Sequence, residues 1–154
     1  MKTRQIEIYT DGSCHTQQGV GAWAALIIVG GAKTIISGIE KDTTHNRMEL
    51  LAVIKAIDWV NKNGFTTAVF TVYSDSQYVI NLQLRKEKLQ TKQFITNKGT
   101  PIQNVDLVKQ ILTFYSTCNI YLQKVKAHQK PDGTENFNRE IDMIVRKLVR
   151  ENIN

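Results

Sequence analysis

Four acidic residues, Asp11, Glu49, Asp75 and Asp142, interrupt otherwise apolar sequence, each where a strand ends or a helix begins. The segments read Ile8-Tyr9-Thr10-Asp11-Gly12-Ser13-Cys14, Asn46-Arg47-Met48-Glu49-Leu50-Leu51-Ala52, Val72-Tyr73-Ser74-Asp75-Ser76-Gln77-Tyr78 and Asn138-Arg139-Glu140-Ile141-Asp142-Met143-Ile144. A buried carboxylate is costly unless something cationic meets it. A fold that buries these segments must therefore gather the acids around positive charge or turn each one outward.

The 154 residues suffice for one domain with its own core, read here as a single domain over 1–154. With two prolines and no Pro/Gly/Ser-rich tract, nothing marks a linker. No apolar run approaches the roughly 20 residues of a membrane span. The N-terminus lacks the hydrophobic stretch of a signal peptide, so a cytoplasmic protein is expected. Cys14 and Cys118 are too few and too far apart for a disulfide framework, and free thiols are expected. The net charge of +6 favours an anionic partner, although charge alone is a weak pointer.

Residues 5–10 alternate, with Ile6 and Ile8 on one face and Glu7 and Tyr9 on the other, ahead of an Asp11-Gly12 turn signal; this predicts a first strand. Ala22 to Val29 is almost continuously apolar, and Gly30-Gly31 supplies a two-residue hairpin turn into a third strand, Lys33 to Ile39. After Thr44 or His45, the residues Met48, Leu51, Ala52, Ile54 and Val60 fall at helical spacing up to a stop at Gly64. Thr67 to Ser74 then reads as a buried strand with Asp75 at its carboxyl end, followed by a short helix from Gln77 to about Leu84. Asn104 is placed to cap a helix striped by Val108, Ile111, Leu112 and Tyr115. Ile120 to Lys126 is a fifth strand, and Ile141, Ile144, Val145, Leu148 and Val149 make the packed face of a closing helix from Asn138. The fold class is α/β: a mixed five-stranded sheet, three antiparallel strands then two reached through helical crossovers, flanked by helices. The basic stretch between, residues 85–103, is weakly patterned and is expected to protrude from the body.

In open α/β sheets the functional crevice lies beyond the carboxyl ends of central strands, where Asp11 and Asp75 both sit. Glu49 has Ala52, Val53 and Ala56 as its helical neighbours and so points to the packed face. Asp142 edges the apolar stripe of the last helix and can reach the same rim. Carboxylates packed together raise one another's pKa, whereas divalent cations hold them ionised, and oxygen-only ligands favour magnesium or manganese over zinc. Taken singly, each acid also has an ordinary reading: Asp11 as a turn residue, Glu49 as a helix-start charge, Asp75 as an N-cap, Asp142 as a surface group.

Tyr9-Thr10-Asp11-Gly12-Ser13, Asn46-Arg47-Met48-Glu49-Leu50, Ser74-Asp75-Ser76-Gln77-Tyr78 and Val125-Lys126-Ala127-His128 closely resemble the motifs of type 1 ribonuclease H, in order, across nearly the whole chain. The resemblance implies a ribonuclease H-like sheet and a hydrolase acting on RNA/DNA hybrids. It would cut the RNA strand as an endonuclease to leave 5′-phosphate and 3′-hydroxyl ends; separately, a monomer with no obligate protein partner is expected. It implies two Mg²⁺ ions, with Mn²⁺ as a substitute, held by Asp11, Glu49, Asp75 and Asp142, and a proton-moving or product-releasing role for His128. It also implies substrate contacts from Gly12, Ser13, Cys14, Thr44, His45, Asn46, Gln77 and Asn138, reading sugar hydroxyls rather than bases. Arg85, Lys86, Lys88 and Lys92 would hold phosphates of the DNA strand.

Three features depart from the family pattern. His45 stands where asparagine is usual, Ala127 precedes His128 where glycine is common, and the interval from His128 to Asp142 is long, with a turn signal at Lys130-Pro131-Asp132-Gly133. Asp142 is preferred to Asp132 as the fourth ligand because Asn138 and the apolar helix beyond it match the family's closing motif. With so short a lead before the first strand, no separate hybrid-binding domain is expected there. Two other readings compete: a catalytically weak hybrid-binding module, and a DNA-directed nuclease of the same superfamily.

Overall fold

The structure, a computed structural model, describes residues 4–65, 68–126 and 136–154. Its elements run β1 (Gln5–His15), β2 (Val20–Val29), β3 (Ala32–Glu40), α1 (His45–Lys62), β4 (Val69–Ser74), α2 (Gln77–Leu84), α3 (Lys86–Thr91), α4 (Val105–Thr117), β5 (Asn119–Lys124) and α5 (Phe137–Asn152). The five strands form one sheet in the order β3-β2-β1-β4-β5, antiparallel among the first three and parallel from β1 through β4 to β5. The mixed α/β sheet expected from the sequence is the observed architecture.

Hydrophobic burial on both sides of β2 explains its unbroken apolar run. Ala22, Ala24 and Leu26 meet Ile141 and Val145 of α5, while Ala25 and Ile27 join the larger core under α1 with Ile6, Ile8, Phe70 and Val72. The Gly30-Gly31 turn has positive φ at both residues, 55° and 82°, which suits glycine and matches the twist of a tight hairpin. Thr44 caps α1 by accepting the Arg47 amide at 3.2 Å, and the helix stops at Gly64 with φ 84°.

Two local expectations are corrected, and one short helix is added to those expected. Asp11-Gly12 is no turn: β1 continues to His15, pairing Asp11 with Ala24 and Gly12 with Trp23. Asn104 precedes α4 in the left-handed region, φ 56°, and makes no side-chain cap; its Oδ1 instead accepts from Arg47 Nη1 at 3.4 Å. A short helix, α3, lies within the basic stretch, and Leu89 is buried in the main core with Phe94 and Ile102 packed against it.

Candidate active site

Strand pairing creates the crevice. β1 and β4 pair in parallel only from Gln5↔Val69 to Tyr9↔Tyr73; β4 then ends at Ser74 while β1 runs on beside β2. Asp11, past the last shared pair, and Asp75, just past β4, therefore face one opening at the carboxyl ends of neighbouring central strands. α1 packs across β1 and brings in Glu49, one turn beyond the helix start and 1% exposed. Gly12 permits this approach, since a Cβ there would lie 2.5 Å from the Glu49 amide nitrogen.

One ligand oxygen from each of Asp11, Glu49 and Asp75 can be chosen so that all three lie within 4.8 Å of one another. Asp142, on α5, lines the same crevice of about 340 Å³ without joining that tight group. The expected cluster of four is thus a close triad with a fourth acid at its wall. Arg146, one helical turn on, places Nε 3.3 Å from Asp142 Oδ1.

The electrostatics show the cost of bringing these acids together. Burial, then the charges of Asp75 and Asp142, pushes the Asp11 carboxyl up to about 7, against the amide of Gly12, which donates to its Oδ1 at 2.9 Å. Glu49 is held well above the usual carboxylate range by burial first and by Asp11 and Asp75 next. Glu49 Oε2 is buried with no hydrogen-bond partner among the described residues. An orphaned acceptor, mutual repulsion and an all-oxygen donor set within reach of a single point fit a hard divalent cation.

Gly12, Ser13, His45, Asn46 and Gln77 line the crevice with the four acids. Other residues singled out from the sequence are engaged elsewhere. Cys14 donates its thiol to the Thr43 carbonyl at 3.3 Å, and Thr44 caps α1. Asn138 is buried and donates to the Lys126 carbonyl at 3.2 Å, tying α5 to the segment after β5. The four basic residues divide. Arg85, Lys88 and Lys92 line one groove of about 190 Å³ with Thr96 and Asn97, whereas Lys86 donates to Ser116 of α4. A second groove joins Arg85 to Tyr78 at the crevice wall. His128, Ala127 and Asp132 lie outside the described residues.

Ser76, Tyr78 and Arg146 line the crevice without having been singled out. Arg146 carried a usable signal, its i,i+4 spacing from Asp142. Ser76, and not Asp75 as in its ordinary reading, is the N-cap of α2, accepting the Val79 amide at 3.2 Å.

A carboxylate-lined crevice at the switch point of a mixed sheet is the equipment of a metal-dependent hydrolase. Comparison with known proteins narrows that class. The RNase H family model matches residues 3–150. A Ribonuclease H of Caldicellulosiruptor saccharolyticus is 34% identical over 150 residues, covering 96% of this chain and 98% of that one. A Ribonuclease H of Thermoanaerobacter pseudethanolicus is 36% identical over 149 residues, covering 96% and 91%. In fold the chain is similar to LC9-RNase H1, described as a type 1 RNase H with the type 2 active-site motif, with a TM-score of 0.79 at 21% identity, covering 99% of this chain and 75% of that one. The chain belongs to the RNase H family. No helix among the described residues is long and apolar enough to cross a membrane.

Proposed function

We propose that this protein is an endonuclease that hydrolyses the RNA strand of RNA/DNA hybrids with two Mg²⁺ ions, leaving 5′-phosphate and 3′-hydroxyl ends. The observation that carries this reading is the convergence of Asp11, Glu49 and Asp75 oxygens within 4.8 Å in a family whose named relatives are ribonucleases H. Asp11, Glu49, Asp75 and Asp142 would hold the ions. Once bound, the ions supply an activated water and stabilise the leaving 3′ oxygen.

The chain's own residues do the rest. Their carboxylates present charge fixed by β1, β4 and α1, so little reorganisation accompanies the reaction. Gly12, Ser13, Asn46 and Gln77 line the crevice with the acids that would hold the ions, and they would meet sugar hydroxyls, the groups that separate RNA from DNA. Arg85, Lys88 and Lys92 form the phosphate-holding wall within residues 85–103, reached from the crevice past Tyr78. His128 moves protons or aids product release. We take residues 1–154 as one catalytic domain, working as a monomer in the cytoplasm.

The test is cleavage of a labelled RNA/DNA hybrid with Mg²⁺, beside single-stranded RNA, double-stranded RNA, double-stranded DNA and an EDTA control. Cleavage confined to the RNA of the hybrid is expected. Cleavage of the DNA duplex would favour the DNA-directed relative, and binding without cleavage the hybrid-binding module.

A further inference from the structure

His45 opens α1 at the crevice wall, and its Nε2 stands 3.5 Å from Glu49 Oε1, one helical turn on. That separation is the distance at which two neighbouring donors share one transition-metal ion, with Zn–N and Zn–O bonds of roughly 2.0 to 2.2 Å each. His45 stands outside the close triad of Asp11, Glu49 and Asp75, but its imidazole is 59% exposed in its side chain and can turn toward the triad without disturbing the core, while the Glu49 carboxylate is fixed by burial and keeps Oε2 unpartnered. An acidic crevice by itself calls for a hard ion, and nitrogen at its edge changes the chemistry. Imidazole binds Mn²⁺ and, more strongly, the later first-row metals, with a maximum at Cu²⁺, and has little affinity for Mg²⁺.

We propose that His45 is an additional, nitrogen ligand of the Glu49 metal position, giving this crevice a mixed N/O donor set that retains Mn²⁺ and later transition metals more tightly than oxygen donors alone. This rests on the reading of the acids as a metal site. The alternative use of the same geometry is an ion pair between His45 and Glu49, which needs no metal and is disrupted when one binds.

Electron spin-echo spectroscopy of the protein loaded with Mn²⁺ alone, in a mildly alkaline buffer, tells the two apart, because a directly bound imidazole nitrogen modulates the echo. The proteins compared are wild type, His45→Asn and Asp75→Asn. Nitrogen modulation in wild type that disappears in His45→Asn, while Mn²⁺ remains bound, is the expected result. Calorimetric titration should show Mn²⁺ affinity falling roughly tenfold in His45→Asn, the scale on which lost metal-site partners act, with Mg²⁺ affinity unchanged. Mn²⁺ binding that depends on Asp75 but shows no nitrogen modulation, or the same modulation in His45→Asn, would overturn the assignment and leave the metal site standing. Mn²⁺ binding that ignores Asp75→Asn, or is absent from wild type, would overturn the metal reading itself.

Discussion

Gly12 and Glu49 are in backbone contact: a methyl group on Gly12 would come 2.4 Å from the Met48 carbonyl carbon and 2.5 Å from the Glu49 amide nitrogen. The absence of a side chain on β1 is thus what lets α1 deliver its carboxylate to Asp11. Gly12→Ala is expected to push α1 off the sheet at an overpacking cost of about 1–3 kcal/mol, measured by urea denaturation, with activity falling alongside. An alanine variant of wild-type stability and rate would show that the helix has room to move.

Asp75→Asn should leave the fold intact and abolish turnover, by at least about 100-fold, through loss of a metal ligand. It also removes a charge that raises both Asp11 and Glu49, so the metal-free variant should melt higher than metal-free wild type. Hybrid cleavage assays and EDTA-treated melts read the two effects separately.

The metal-free protein should lose stability as pH rises from about 4 to about 7. Asp11 binds its proton up to about 7 in the folded state, because of burial first and then Asp75 and Asp142, whereas in the unfolded chain it releases it near 3.8. Across that window the native state holds more protons, so stability is fully present below the unfolded value and falls toward the folded one. Glu49, also raised by burial first and then by Asp11 and Asp75, adds to the fall. Thermal melts of the EDTA-treated protein should show this slope, and Mg²⁺ should flatten it by binding the ionised native form. A melting temperature that climbs across the same window would contradict the assignment.

Lys88→Ala and Lys92→Ala should each weaken hybrid binding and reduce the salt slope by about one phosphate contact, since both line the groove with Arg85. Lys86→Ala should have a smaller effect, because Lys86 lies outside that groove with its ammonium beside Ser116 of α4. Binding isotherms at several salt concentrations would separate the three.

Much of the fold was legible because its periodicities are local. Ile6 and Ile8 against Glu7 and Tyr9, the unbroken Ala22–Val29 run and the α5 stripe each report which faces are covered. The misses share a cause. Asp11-Gly12 looks like a turn, but ladder pairing with Ala24 and Trp23 outweighs that local preference, and the glycine answers to α1 instead. α3 offers a single buried leucine, too little for a periodic signal. Arg146 looks like a solvated helix charge until α5 docks and brings it to the crevice beside Asp142.

Sequence alone determined the five strands, the helices α1, α2, α4 and α5, and which four acids interrupt them, since hydrophobic period acts over a few neighbours. Tertiary structure decided the rest. The order β3-β2-β1-β4-β5 sets β1 beside β4, and the bare α-carbon of Gly12 seats α1. Those two placements make Asp11, Glu49 and Asp75 a triad with Asp142 at its wall, a relation between residues far apart in the chain that no local pattern encodes. Repulsion among carboxylates depends on their separation and burial, and only the packed chain sets those.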